Sequence, residues 1–188
     1  KIAKLTDPSY VPTCSLNPVI SCGSVMDSPQ AEAFGFNDTA LQDLPGQLES
    51  TYPTEDLEPS QVALTGMGQY EVRATPLQMA MVVAGIVNNG VVMRPYVVDE
   101  VNSPDLDVLD KTDPEELSEA VSSDTARELR KMMVNTVEQG TAGVARIPGV
   151  EVGAKTGTAE ACEECSNYAW FDSYATVSDR QVAVAVML

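Results

Sequence analysis

The apolar residues between positions 76 and 87 run almost all the way round a helix. They follow Thr75-Pro76-Leu77-Gln78, in which threonine at the N-cap, proline at the first helical position and glutamine three residues after the cap form a capping-box signature. Asn88-Asn89-Gly90 comes next, and these residues tolerate the positive φ at which helices end. The pattern predicts a helix from Pro76 to about Val87 that is buried and packed on several sides.

A second helix is predicted from Ser123 or Asp124 to Gln139, where apolar residues repeat at helical spacing until Gly140. From residue 150 onward the apolar period changes to two. Strands are therefore predicted at 150–159, 168–175 and 181–188, with turn residues between them. Three successive strands with short connections predict an antiparallel meander.

The remaining signals are shorter. Residues 1–30 contain four prolines and are predicted to be irregular, with at most one short helix near Gln30 to Phe34. Residues 38–60 are acidic, contain three further prolines and are interpreted as a surface excursion. The sequence also predicts short strands at 91–93 and 96–98, and a short surface helix at 114–120.

Composition narrows the possible functions. The chain has 188 residues, of which 44% are hydrophobic and 21% charged, as is ordinary for a globular protein. Its net charge of −17 excludes sequence-independent nucleic-acid binding, because so acidic a surface repels polyphosphate. The longest apolar stretch, Met79 to Val87, is about half of the ~20 residues that a membrane-spanning helix needs.

The sequence contains no histidine. Ser-His-Asp and Cys-His catalysis, zinc proteases of the HExxH type and His-ligated metals are therefore excluded. Catalysis must use Lys, Ser, Thr, Tyr or carboxylates, and we expect neither a cofactor nor a metal.

Four cysteines, Cys14, Cys22, Cys162 and Cys165, permit two disulfides in one of three pairings. The spacing of Cys162 and Cys165 also occurs in redox and zinc sites, but the lack of histidine argues against zinc and the lack of a βαβ pattern argues against thioredoxin-like redox chemistry. A structural disulfide and free thiols both stay open. We expect this pair to lie in a loop between two antiparallel strands, where a bond closing so short a loop is dispensable for the fold.

Candidate chemistry is concentrated at Lys155-Thr156-Gly157-Thr158, on a predicted strand. In a regular strand Lys155 and Gly157 point one way and the two threonines the other. A strand edge with a glycine permits close approach of another backbone, and a lysine beside hydroxyls suits a carboxylate. Taken alone, however, these four residues are more typical of a solvated strand.

Four ordered segments of the chain change that interpretation. They are GMGQYEVRATPLQMA at 66–80, NGVVMRPY at 89–96, KTGTAE at 155–160 and AWF at 169–171. In their order and spacing, and over about residues 31–188, the chain resembles the transpeptidase domains of penicillin-binding proteins, class B and actinobacterial in type.

The resemblance implies an α+β fold of the serine β-lactamase/D,D-transpeptidase type, in which helices flank an antiparallel sheet. Residues 1–188 would be the C-terminal portion of one such domain, incomplete at both ends. It also implies a serine acyltransferase that acts on D-Ala-D-Ala stem peptides in cell-wall cross-linking and is inhibited by β-lactams. The implied partners are peptidoglycan stem peptides, β-lactam antibiotics and a glycosyltransferase or cell-division protein, at the extracytoplasmic face of a membrane whose anchor lies outside this chain.

The resemblance also implies roles for individual residues. Lys155 would supply positive potential, and the hydroxyls of Thr156 and Thr158 would hold the carboxylate of a substrate or antibiotic. The backbone N–H of Thr158 would form one half of an oxyanion hole. Gly157 would leave room for the acyl group.

The nucleophile motif of the family, Ser-x-x-Lys, does not occur in this sequence, because none of its five lysines has a serine three residues before it. For the second motif, Ser-x-Asn, Ser21 of Ser21-Cys22-Gly23 is the candidate, whereas Ser15-Leu16-Asn17 matches the letters but lies among prolines. The missing serine supports an alternative function: a non-catalytic relative that binds peptidoglycan or a division partner.

Overall fold

The computed structural model describes residues 28–54, 57–160 and 166–188. In these residues, helices pack against antiparallel sheets. The helices of this part are α1 (Ser28–Ala33), α2 (Pro59–Thr65), α3 (Pro76–Val87) and α4 (Ser123–Gln139), with a 3-10 turn at Gly143–Ala145. The strands are β1 (Val91–Met93), β2 (Glu100–Asn102), β3 (Val108–Lys111), β4 (Glu116–Glu119), β5 (Glu151–Ala159), β6 (Tyr168–Val177) and β7 (Arg180–Met187). The predicted α+β class, with helices flanking an antiparallel sheet, is confirmed.

Helix α3 has the predicted bounds and is packed on several sides, against α4, β1, β6 and β7. Thr75 caps it, since its hydroxyl accepts the N–H of Gln78 at 3.1 Å. The other half of the predicted capping box is absent. Gln78 is buried and donates its side-chain amide to the carbonyl of Phe34 at 2.6 Å, while the N–H of Thr75 donates to the hydroxyl of Ser50 at 2.9 Å.

Helix α4 also has its predicted bounds. The hydroxyl of Ser122 accepts the N–H of Thr125 at its start, and Ala126, Met133 and Val137 form its buried stripe at helical spacing. Because the opposite side of α4 is charged, the helix buries only this stripe.

The predicted three-stranded meander is confirmed. Its order is β5-β6-β7 with both pairs antiparallel, so that β5 and β7 are its two edges among the residues that the structure describes. Helices α3 and α4 cover one of its faces, where Val83, Met133 and Tyr174 share a core cluster. Gly153 of β5 is required there, since a Cβ at this position would lie 2.3 Å from the ring of Tyr174.

Two of the shorter predictions are wrong, and one element was missed. The predicted helix at 114–120 is instead strand β4, which pairs with β1 and turns Leu117 toward the cluster around Met81. Residues 96–98 form no strand, because the N–H groups of Val97 and Val98 donate to the side chain of Asp43 rather than to a neighbouring strand. The β2–β3 hairpin was not predicted at all.

The segment at 38–60 is more than a surface excursion, since it buries Leu41, Ser50 and Tyr52 and its last two residues begin α2. The hydroxyl of Tyr52 donates to that of Thr65 at 2.9 Å. The predicted short helix near Gln30 to Phe34 is present as α1, two residues earlier in the chain. No helix in the described ranges is both long and apolar enough to cross a membrane.

Candidate functional site

The residues Lys155 to Thr158 lie on the edge strand β5, as the sequence predicts. The pairing of β5 with β6 is regular over nine residue pairs, which include Lys155 opposite Asp172 and Gly157 opposite Trp170. Regular alternation therefore places Lys155 and Gly157 on one face of the sheet and Thr156 and Thr158 on the other.

A cleft of about 980 Å³ opens beside the end of β5. The segment at 66–74 forms its far wall, and Gly157, Thr158, Trp170 and Asp172 contribute from the sheet. Aromatic and other apolar side chains dominate the remaining surface, among them Phe34, Phe36, Tyr52, Tyr70, Met79, Val82, Tyr168 and Met187. The cleft can therefore hold a partly apolar ligand with polar groups at the strand edge.

Two of the predicted site residues lie beside this cleft rather than in its lining. The hydroxyl of Thr156 is 2.9 Å from that of Thr141, which lies in the loop after α4. The ammonium of Lys155 donates to the carbonyl of Thr156, and its side chain is exposed. Within the described ranges no carboxylate lies within 4.0 Å of this ammonium, so its charge is available to a ligand.

Gly157 is pressed against Trp170 on the neighbouring strand. A Cβ on Gly157 would lie 3.2 Å from the Cβ of Trp170, which is closer than side chains normally approach. The glycine therefore has a packing role here in addition to the room it leaves at the edge of the cleft.

Asp172 is a residue of this site that the sequence analysis missed. Its side chain lines the cleft, the residue is only 7% exposed, and its Oδ1 atom has no hydrogen-bond partner in the described structure. Burial raises the pKa of Asp172 to about 6, and the positive charge of Lys155 acts in the opposite direction. The available signal was a lone carboxylate inside the aromatic and apolar run Tyr168–Val177.

Asp172 should make the stability of the protein depend on pH. Its carboxyl binds protons more tightly in the folded state than in the unfolded chain, where its pKa is near 3.8. Its contribution to the free energy of unfolding is therefore largest below about pH 4, is lost as the pH rises through about 6, and amounts to at most about 3 kcal/mol. As the pH rises from 4 to 8, the stability of Asp172→Asn should therefore increase relative to that of the wild type by at most about 3 kcal/mol.

Urea denaturation at a series of pH values measures this difference. Asp179→Asn is the matched control, because Asp179 is exposed in the turn between β6 and β7 and its replacement changes the net charge equally. A stability difference between Asp172→Asn and wild type that stays constant with pH would show that the buried carboxyl does not titrate in this range.

The other candidate residues, Ser21 and the two cysteines of the predicted loop, lie outside the described ranges. Ser21, the Ser-x-Asn candidate, belongs to residues 1–27, and Cys162 and Cys165 belong to residues 161–165. The site that the structure describes therefore consists of the edge strand, the cleft and Asp172.

Comparison with known families gives two matches. The model described as the penicillin-binding protein transpeptidase domain matches residues 29–188, which is most of the chain. The model of the vitamin K epoxide reductase family matches residues 1–42. This is less than a quarter of the chain, so the match does not assign the chain to that family.

Curated relatives of this chain include two mycobacterial proteins. The peptidoglycan D,D-transpeptidase PbpA of Mycolicibacterium smegmatis is 37% identical over 172 residues, which are 90% of this chain and 35% of that protein. PbpA of Mycobacterium tuberculosis is 34% identical over 161 residues, covering 84% of this chain and 32% of that protein. The chain thus spans about a third of the length of these relatives.

Solved structures agree with this similarity. The imipenem acyl-enzyme complex of penicillin-binding protein A from M. tuberculosis matches with a TM-score of 0.73 and 35% identity, over 85% of this chain and 35% of that one. The D,D-transpeptidase domain of a peptidoglycan glycosyltransferase from Eggerthella lenta matches with a TM-score of 0.74 and 38% identity, over 85% and 41%. The serine D,D-transpeptidase type of fold predicted from the sequence is confirmed.

Proposed function

Because this chain belongs to the penicillin-binding protein transpeptidase family, we propose that it is the C-terminal portion of a peptidoglycan D,D-transpeptidase domain. The observation that carries the proposal is the edge strand β5, which places Lys155 and Thr158 beside a cleft of about 980 Å³. Penicillin-binding protein A from M. tuberculosis, which has the same fold, is solved as acyl-enzyme complexes with imipenem, ceftriaxone and penicillin G. We infer that the cleft of this protein receives β-lactams and, as substrates, peptidoglycan stem peptides.

The reaction proposed for the complete domain is acyl transfer through a serine. The serine oxygen forms an ester with the penultimate D-alanine as the peptide bond breaks, and the terminal D-alanine leaves as a protonated amine. An acceptor amine then attacks the ester, forms the cross-link and returns the proton to the serine. In this proposal the serine belongs to a Ser-x-x-Lys motif outside this sequence, which does not contain that motif.

The described residues would bind and stabilise rather than attack. The hydroxyl of Thr158, which lines the cleft, would bind a ligand carboxylate together with the hydroxyl of Thr156 on the same face of β5. Lys155 would add positive charge from the other face of this edge strand, where charge-assisted hydrogen bonds strengthen as water is excluded. To bind the ligand carboxylate, the hydroxyl of Thr156 must give up its contact with the hydroxyl of Thr141. The N–H of Thr158 is one donor of the oxyanion hole.

Cell-wall cross-linking also defines where such a protein works. We propose that the natural protein acts at the extracytoplasmic face of the membrane, anchored by a segment outside this chain, beside a glycosyltransferase or a division partner. The peptidoglycan D,D-transpeptidase activity named for the mycobacterial relatives supports this proposal.

Intact-mass spectrometry with a penicillin tests the proposed function. The full natural protein should gain one drug molecule per chain, whereas the 188-residue chain, which has no Ser-x-x-Lys, should gain none. If the natural protein gains no mass yet is retained on purified peptidoglycan, the enzyme assignment is wrong and the non-catalytic binding alternative is correct.

A further inference from the structure

Lys155 and Asp172 are opposite each other on neighbouring antiparallel strands. Side chains of directly opposed residues share a face, with Cβ atoms about 4.5–5.5 Å apart. A lysine side chain is long enough to bring its ammonium to a carboxylate at that position. The two groups of opposite charge are therefore neighbours by the register of the sheet itself.

In the described structure, no group other than Lys155 offsets the cost of burying the charge of Asp172. Its Oδ1 atom is buried without a hydrogen bond, its other cross-strand neighbour is Ala185, and α3 carries no titratable side chain. The charge that acts on its pKa is that of Lys155. On α4, Arg130 is occupied by Glu151 and by the ring of Tyr174.

The remaining titratable groups that face the same cleft lie on its other walls. They are Glu71 and Arg73 on the far wall, Glu160 after β5, and the hydroxyls of Tyr52, Tyr70 and Tyr168.

Lys155 in turn has donors to spare. An ammonium has three N–H groups, and in this structure the carbonyl of Thr156 is its hydrogen-bond acceptor. That carbonyl is neutral and belongs to the exposed edge. A buried carboxylate without a partner is the stronger acceptor, because an ionised acceptor roughly doubles the strength of a hydrogen bond and burial removes competing water.

We propose that Asp172 is a positioning residue for Lys155: its carboxylate accepts one N–H of the ammonium and holds it on the face of β5 that bears Gly157. The remaining N–H groups are then directed at a ligand carboxylate in the cleft. In this structure the ammonium lies instead on the carbonyl of Thr156, so the pairing requires a rotamer change of Lys155, after which the long lysine stem is held in place for the ligand. The inference rests on the proposed function for the identity of the ligand, but the pairing itself does not depend on it.

Competitive acetylation of lysines in the full natural protein tests the pairing. At pH 8, with Lys131 as the internal reference, peptide mapping should show Lys155 reacting about 3–30-fold faster in Asp172→Asn than in the wild type, because an ammonium held by a buried carboxylate is less accessible to the reagent. Asp179→Asn should leave the ratio unchanged. Equal labelling of Lys155 in Asp172→Asn and wild type would overturn the proposal.

The rate of acylation by a penicillin is a second test of the pairing. Asp172→Asn should acylate about 3–30-fold more slowly at pH 8, and it should lack the fall in rate that the wild type shows as acid protonates Asp172. In a Lys155→Ala background, Asp172→Asn should have no further effect, since the residue acts through the lysine. A full additional loss in that background would assign Asp172 a role independent of Lys155 and contradict the proposal.

The labelling and acylation experiments together distinguish failure of the proposed function from failure of the pairing. If the natural protein is never acylated but the labelling of Lys155 still responds to Asp172→Asn, the proposed function fails and the pairing stands. If acylation occurs and the labelling does not respond, the pairing fails alone. Asp172→Leu, which leaves no polar group to bury, provides the same labelling test if Asp172→Asn does not fold.

Discussion

Replacing Lys155 with alanine should slow acylation of the full natural protein by a penicillin about 10–1,000-fold without unfolding it. The ammonium is exposed on an edge strand, so its loss removes little packing. It does remove a preorganised positive charge from the place where the drug carboxylate binds, and one or two such contacts are typically worth a few kcal/mol in the transition state.

Stopped-flow or quenched mass spectrometry measures this rate. Lys131→Ala is the matched control, because Lys131 is an exposed lysine on α4 that pairs with Glu128 away from the cleft. It should acylate as the wild type does. Thr158→Val should slow the reaction less than Lys155→Ala, since valine removes the hydroxyl but keeps the backbone N–H of the oxyanion hole. An unchanged rate in Lys155→Ala would remove this residue from the site.

Gly90→Ala should destabilise the fold by more than about 3 kcal/mol. Gly90 follows α3 at φ +97°, and a Cβ there would lie 1.9 Å from the carbonyl oxygen of Val121. That oxygen belongs to the backbone just before α4, and the neighbouring N–H of Ala120 donates to the carbonyl of Gly90 at 2.9 Å. Relief of the clash therefore requires backbone movement between two core elements, which is among the most destabilising effects of a single substitution.

Gly46→Ala separates the clash from the backbone conformation. Gly46 also has a positive φ, +81°, but among the described residues beyond its chain neighbours no atom lies within 4 Å of the position that a Cβ would take. Only the cost of a left-handed alanine applies there, about 1–2 kcal/mol. Urea denaturation of both variants should show a clearly larger loss for Gly90→Ala, and equal losses would mean that the contact with Val121 is not rigid.

Much of the framework could be predicted because its signals are local. Thr75 and Pro76 mark the start of α3 and Gly90 follows its end, and the period-two runs after residue 150 form strands that pair with their neighbours in sequence. The same alternation is sufficient to assign Lys155 and the two threonines to opposite faces of the sheet.

The elements that could not be predicted depend on contacts distant in sequence. Strand β4 forms because residues 116–119 pair with β1, about 25 residues earlier, and a four-residue stretch has too short a pattern to distinguish a strand from a helix. Ser50 and Tyr52 are buried by partners at Thr75 and Thr65. Asp172 stands out in the sequence as a lone carboxylate in an aromatic and apolar run, but its burial and raised pKa depend on packing that the sequence alone does not show.

The most direct measurement of the central claim, that β5 recognises a carboxylate, compares benzylpenicillin with its methyl ester as acylating agents of the full natural protein. The ester keeps the reactive ring and loses the negative charge. The wild type should prefer the acid by about 10–1,000-fold, and in the double variant Lys155→Ala with Thr158→Val the preference should fall to near one. A double variant that keeps the preference of the wild type would show that the carboxylate is bound elsewhere and that Lys155 to Thr158 form only a strand.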